Sequence, residues 1–224
     1  MSPDGPSDIS AARLQATRGS LHAIAEWLLA GPQYQRSGTI RLRVARGGIE
    51  TSDGLVRLSP VALSSTVTGH EIRVPVQGTI AKMGDAVGLK PTRPDDLYSD
   101  HAELTPTDKV RSQSTDSESL IAWFELGDEA LREFAPDESP VLWPEHFDLA
   151  ITVDEVNFGV SLGDAFHQLP YAYIGPWAVR EGAFWNAPFG AARAASDFPD
   201  TQSLAAFFAK GAGLAATDPP AAGA

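Results

Sequence analysis

The stretch Phe147-Asp148-Leu149-Ala150-Ile151-Thr152-Val153, followed after two acidic residues by Val156-Asn157-Phe158-Gly159-Val160-Ser161-Leu162, decides the fold class. Phe147, Leu149, Ile151 and Val153 alternate with His146, Asp148, Ala150 and Thr152, and a period of two sorts them onto opposite faces of a strand. Val156, Phe158, Val160 and Leu162 repeat the pattern, with Asp154-Glu155 beginning the connection. Gly163-Asp164 is a turn signal. Pro170 then opens a third strand, in which Tyr171, Tyr173 and Trp177 share one face while Ala172 and Ile174 share the other. Strands joined by connections this short are antiparallel.

Outward from this centre, Thr115-x-x-Glu118 has the pattern of a capping box. Leu120, Phe124, Gly127, Leu131 and Phe134 follow at helical spacing, and Pro136 and Pro140 end the helix. An N-terminal helix is predicted from Asp8 to Ala30 on Leu14, Thr17, Leu21, Ile24 and Leu28, with Gly31-Pro32 as its stop. Between the helices lies a first strand group: 39–45, a Gly47-Gly48 hairpin turn into 49–51, then 56–58 and 70–74. A short helix is expected within 77–89. Residues 184–190 read as a packed loop, and Thr201–Lys210 as a last helix stopped by Gly211.

The expected fold is therefore α+β: an antiparallel β-sheet in two groups of hairpin-linked strands, with two long flanking helices. The domain reading is 8–90 for a helix-plus-hairpin subdomain, 91–112 for a proline-bearing connection, and 113–211 for a helix plus three strands. Residues 212–224, rich in Ala, Gly and Pro, are expected to form a disordered tail, and 1–7 a disordered start.

Composition narrows the function. The chain has 224 residues, 43% of them hydrophobic, which suffices for a core. The absence of cysteine excludes disulfides and thiolate sites and fits a reducing cytoplasm. With no long apolar run and no signal-peptide pattern at the start, the expectation is a soluble, cytoplasmic, acidic protein away from the membrane. A net charge of −12 repels phosphate backbones, so nucleic acid is not the expected partner.

Three constellations are candidates for chemistry. Glu145, His146 and Asp148, with His167 one hairpin away, combine imidazole and carboxylate groups; they are the candidate catalytic residues, and His146, Asp148 and His167 the candidate metal ligands. The aromatic residues Trp143, Tyr171, Tyr173, Trp177 and Trp185, with Phe184, offer amphipathic walls for a small-molecule pocket, although ordinary sheet packing also uses such residues. Arg41, Arg43, Arg57 and Arg73 make a basic sheet face suited either to an anion or to pairing with the chain's many acids. Nucleotide-binding glycine loops, a serine nucleophile elbow and the His-Glu-x-x-His motif are missing from the sequence.

The segments Leu21–Glu26, Leu142–Ala150, Val156–Asp164, Pro170–Trp177 and Phe184–Gly190 resemble a family of uncharacterised actinobacterial proteins over most of 20–190. That family has no assigned activity, so the resemblance implies neither catalytic residues nor a cofactor. The N-terminal helix, hairpin and short helix also resemble lipid-carrier-like domains.

The sequence thus leads to a small-molecule-binding or accessory protein of unspecified ligand. The alternative is an enzyme, with or without metal, working through the His/Asp/Glu cluster of 145–167. Cofactor, ligand and oligomeric state are not specified by any motif.

Overall fold

In the computed structural model, which describes residues 6–220 and side chains from Ser10 onward, the chain falls into two units. The first takes residues up to Ala122 together with Leu142–Phe147, and the second takes Trp123–Val141 and the chain from Asp148. The architecture is α+β, with antiparallel pairing between successive strands of 42–75, between the strands at Leu42 and Leu142, and between successive strands of 148–194.

The first unit begins with α1 (Pro6–Ile24), a π-helical turn over Ala25–Ala30, and α2 (Gly31–Ser37). The helix does not stop at Gly31-Pro32, as its sequence predicts. Proline breaks an α-helix by clashing with the carbonyl four residues back and by lacking an N–H; here the preceding turn is already wound to i→i+5 bonding, and Pro32 falls in the first turn of α2. Gly31 serves another purpose. A Cβ there would lie 1.7 Å from the carbonyl oxygen of Thr92, so the missing side chain admits a strap of backbone.

Five hairpin-linked strands come next: β1 (Leu42–Ala45), β2 (Gly48–Thr51), β3 (Val56–Leu58), β4 (Ala62–Ser65) and β5 (Ile72–Pro75). Strand β4 has too few β-favouring residues to read as a strand from sequence; its ladders with β3 and β5 define it. Helix α3 (Ile80–Ala86) is capped by the Thr79 hydroxyl, which accepts from the Lys82 N–H. Leu21, Ile24, Leu28 and Leu29 are buried together with Ile49, Val56, Leu58 and Ile80. The π-helical turn packs on β2, β3 and α3.

Helix α4 (Ser114–Phe134) gives its first residues to the first unit and the rest, from Trp123, to the second. Thr115 lies inside it rather than at a cap, because the helix begins at Ser114. Strand β6 (Val141–Trp143) pairs with β1 at Leu142.

In the second unit, β7 (Asp148–Val153), β8 (Val156–Ser161), β9 (Tyr171–Pro176) and β10 (Ala191–Ala194) form a meander in the order β10-β9-β8-β7. Asp154 and Glu155 take φ of 49° and 61°, the left-handed pair that a two-residue type I′ hairpin needs. The alanine-rich β10 has weak strand propensity and is held by its ladder to β9. One sheet face packs on helices: Phe158 of β8 meets Phe134 of α4 at 4.7 Å and Phe208 of α5 (Thr201–Thr217) at 6.1 Å between ring centroids. Leu149, Val160, Ala172 and Ile174 are fully buried.

Helix α5 passes through Gly211, which its sequence suggests as a stop. A Cβ at Gly211 would come within 2.1 Å of Ile174, so glycine there permits close packing of α5 on β9. Residues 212–217 are therefore helical and not tail, while 221–224 lie outside the described residues. At the other end the helix already includes Pro6 and Ser7, and residues 1–5 lie outside the described residues.

Candidate functional site

The face of the second unit's sheet opposite α5 is built by register. Asp148, Ser161 and Tyr171 stand in one cross-strand row, and Ala150, Gly159 and Tyr173 in the next. A Cβ at Gly159 would sit 2.6 Å from the Tyr173 ring. Because it is absent, the ring crosses β8 and its hydroxyl donates to the Asp148 carboxylate. The Tyr171 hydroxyl donates to Asp164 at 2.6 Å, and the other Asp164 oxygen accepts from the N–H groups of Phe166 and His167 at 2.8 and 3.0 Å.

Burial, then the hydrogen bond and negative charge of Asp164, push the Tyr171 hydroxyl far above the usual tyrosine range. Burial and the neighbouring Asp148 charge do the same to Tyr173. Both phenols therefore stay protonated donors at neutral pH.

Beside this tyrosine face lies a cavity of about 270 Å³, lined by Phe166, His167, Tyr171, Asn186, Arg193 and Asp197 among others. Phe166 stands edge-on to Tyr171 and Phe189, at 5.9 and 4.9 Å between centroids. The Nδ1 of His167 donates to the Leu169 carbonyl at 2.8 Å. A carbonyl only accepts, so the neutral ring keeps its lone pair on Nε2. Asn186 bonds both backbone groups of Ala192, and its oxygen also accepts from Arg193 at 2.9 Å. In the ladder with β9, Arg193 pairs with Ala172, on the face opposite Tyr171, and its guanidinium also donates to the Ala192 carbonyl at 2.7 Å. The guanidinium stands 5.5 Å from the Phe184 ring centre, and the Lys210 ammonium is 5.6 Å from the same centre. Among the described residues neither cation has a carboxylate within ion-pair distance.

A second polar cluster belongs to the first unit. Glu26, in the π-helical turn, has no exposed surface. One of its oxygens is 2.8 Å from Nδ1 of His101 and the other accepts the Ala102 N–H at 3.0 Å. Desolvation first, and then the Glu26 charge, raise the Tyr98 hydroxyl far above the usual range. His22 stacks on Phe147 at 5.0 Å and meets the Pro144 carbonyl at 2.6 Å. Burial lowers its pKa against the opposing pull of Glu26.

The residues singled out from sequence are dispersed among these features. Glu145 and His146 belong to the first unit, and His146 is 59% exposed with Asp100 3.4 Å from its Nδ1. The strand begins only at Asp148, and Phe147 before it has φ of 50°. A left-handed residue interrupts the alternation, so His146 and Asp148 do not share a strand face. Asp148 is buried beneath Tyr173 and His167 lines the cavity. Among the described residues no three His, Cys, Asp or Glu side chains are grouped to hold a metal ion.

Of the aromatic candidates, only Tyr171 lines the cavity. Tyr173 adjoins it through Tyr171, at 6.2 Å between rings. Trp143 carries the Arg41 guanidinium at 5.5 Å in the first unit, Trp185 bonds Asp218 at 2.8 Å, and Trp177 is 65% exposed. Two members of the basic sheet face, Arg43 and Arg57, both pair with Glu50, at 2.7 and 3.2 Å.

Arg193, Asn186 and Asp197 were not legible as site residues, since an alanine-rich strand and a proline-bearing loop carry them. In the sequence, the signal for the second cluster is Glu26, a carboxylate within the apolar run Leu21–Leu29. No protein-family profile, curated protein or solved structure matches the chain.

Proposed function

We propose that this chain is a small-molecule-binding protein, and that its ligand occupies the cavity bordered by Tyr171, His167 and Arg193. One observation carries the reading: in a chain of net charge −12, Arg193 lines a partly aromatic cavity and has no acidic partner among the described residues. Apolar walls with a few aimed polar groups are the ordinary chemistry of a ligand site. A guanidinium suits a carboxylate or phosphate, which it engages through paired N–H donors. The cavity's volume suits a ligand smaller than a typical drug. The same reading takes the protein as cytoplasmic, on its cysteine-free, acidic composition.

The alternative of an enzyme using Glu145, His146, Asp148 and His167 is less favoured, because the alternation meant to align His146 with Asp148 breaks at Phe147. No helix among the described residues is long and apolar enough to cross a membrane.

The test is a thermal-shift and calorimetric screen of small carboxylates and organic phosphates. Binders are expected, with affinity reduced at least tenfold in Arg193→Gln at unchanged melting temperature. A screen without binders, or equal affinity in the variant, rejects the reading.

A further inference from the structure

The cavity also contains a charge of the opposite sign. Asp197, at the end of the 3-10 turn Ala195–Asp197 after β10, lines it together with Arg193. The two side chains do not pair with each other, and among the described residues Asp197 has no ion-pair partner. Oppositely charged groups that line one small cavity without pairing offer a ligand two points of opposite sign. A purely anionic ligand satisfies Arg193 but meets Asp197 as a like charge; a purely cationic ligand suffers the reverse. Such mismatches discriminate strongly between ligands.

We infer that the ligand is a zwitterion of the α-amino-acid class, its carboxylate on Arg193, its ammonium on Asp197 and an apolar side chain against Phe166 and Tyr171. This rests on the reading of the cavity as a ligand site. The side-chain preference comes from the wall: Phe166 is 46% exposed and its ring packs edge-on against Tyr171 and Phe189. Aromatic rings favour offset or edge-on partners, so an aromatic side chain fits this surface. With Nδ1 taken by the Leu169 carbonyl, Nε2 is the His167 nitrogen left for a ligand.

The test is calorimetry on the full chain at one ionic strength with three matched probes: L-phenylalanine, 3-phenylpropionate and 2-phenylethylamine. L-Phenylalanine is expected to bind at least tenfold more tightly than either singly charged analogue. Asp197→Asn should erase the preference over 3-phenylpropionate, and Arg193→Gln the preference over 2-phenylethylamine, each at an unchanged melting temperature. If 3-phenylpropionate binds the wild type as well as L-phenylalanine does, the zwitterion inference fails while the cavity and Arg193 keep their role. If none of the three binds although other carboxylates from the wider screen do, the amino-acid class is wrong. If nothing in either experiment binds, the cavity reading itself falls, and the inference with it.

Discussion

The carboxylate of Glu26, without any exposed surface, lies 2.8 Å from the Nδ1 of His101, which is 75 residues further along the chain. The second oxygen takes the Ala102 N–H, so one side chain anchors a segment with little regular structure of its own. Trp27 reinforces the anchor. Its indole N–H donates to Leu104 at 2.9 Å, its carbonyl accepts from the Thr92 N–H at 3.0 Å, and Arg93 stands 4.8 Å from its ring centre. Backbone groups of a loop need partners as much as those of a helix, and the π-helical turn supplies them.

Removing this anchor should be costly. Glu26→Ala leaves the Ala102 N–H and the His101 ring without their acceptor, at a cost of roughly 1–3 kcal/mol for each buried group left unsatisfied. Glu26→Gln keeps an acceptor and should cost less. Urea denaturation of the two variants tests this, and equal midpoints for wild type and Glu26→Ala would sink the anchoring role.

His22 provides a pH signature. Burial holds its folded pKa below the unfolded value of about 6.5. Below that value the unfolded chain takes up a proton that the folded chain resists. The contribution to stability is therefore fully present above about pH 6.5 and declines as pH falls toward the lower folded pKa. The melting temperature should drop between pH 7.5 and 5.5, and His22→Gln should show a smaller drop over the same interval.

The buried phenols give the opposite slope at the alkaline end. Tyr98, Tyr171 and Tyr173 all have raised pKa values, and they are three of the chain's four tyrosines. Above about pH 10 the unfolded chain loses phenolic protons that the folded chain retains, so stability falls as pH rises past that point. Absorbance titration near 295 nm should show most of the phenolate signal appearing together with the unfolding transition. Gradual ionisation of all four in the folded protein would contradict their burial.

The Asp154-Glu155 turn carries avoidable strain. Both residues take positive φ, which costs a side-chain-bearing residue of the glutamate type roughly 1–2 kcal/mol. The double change Asp154→Asn and Glu155→Gly installs the residues that a type I′ turn favours. It should raise stability by about 1 kcal/mol, with no change in far-ultraviolet circular dichroism. A lower melting temperature would show that the glutamate side chain makes a contact worth more than the strain.

The sequence by itself determined the fold class and the central meander. Alternation in 148–153, 156–161 and 171–176 depends only on the two-residue repeat of an extended chain, which each strand expresses locally. The spacing of Leu120, Phe124 and Leu131 likewise marked the buried stripe of α4. Tertiary structure decided what isolated residues mean. Gly31 and Gly211 have the local character of helix stops, yet each lies inside a helical run because another part of the chain occupies the space of its missing Cβ. Phe147 looked like the first residue of a strand, but its left-handed backbone ends the alternation and parts His146 from Asp148. Strand β10 and the cavity beside it exist through pairing with β9 and the hydrogen bond between Asn186 and Arg193, both contacts between residues apart in sequence. Local periodicity is set by backbone geometry and survives in the one-dimensional pattern, whereas close approach and charge placement depend on distances that only the folded chain defines.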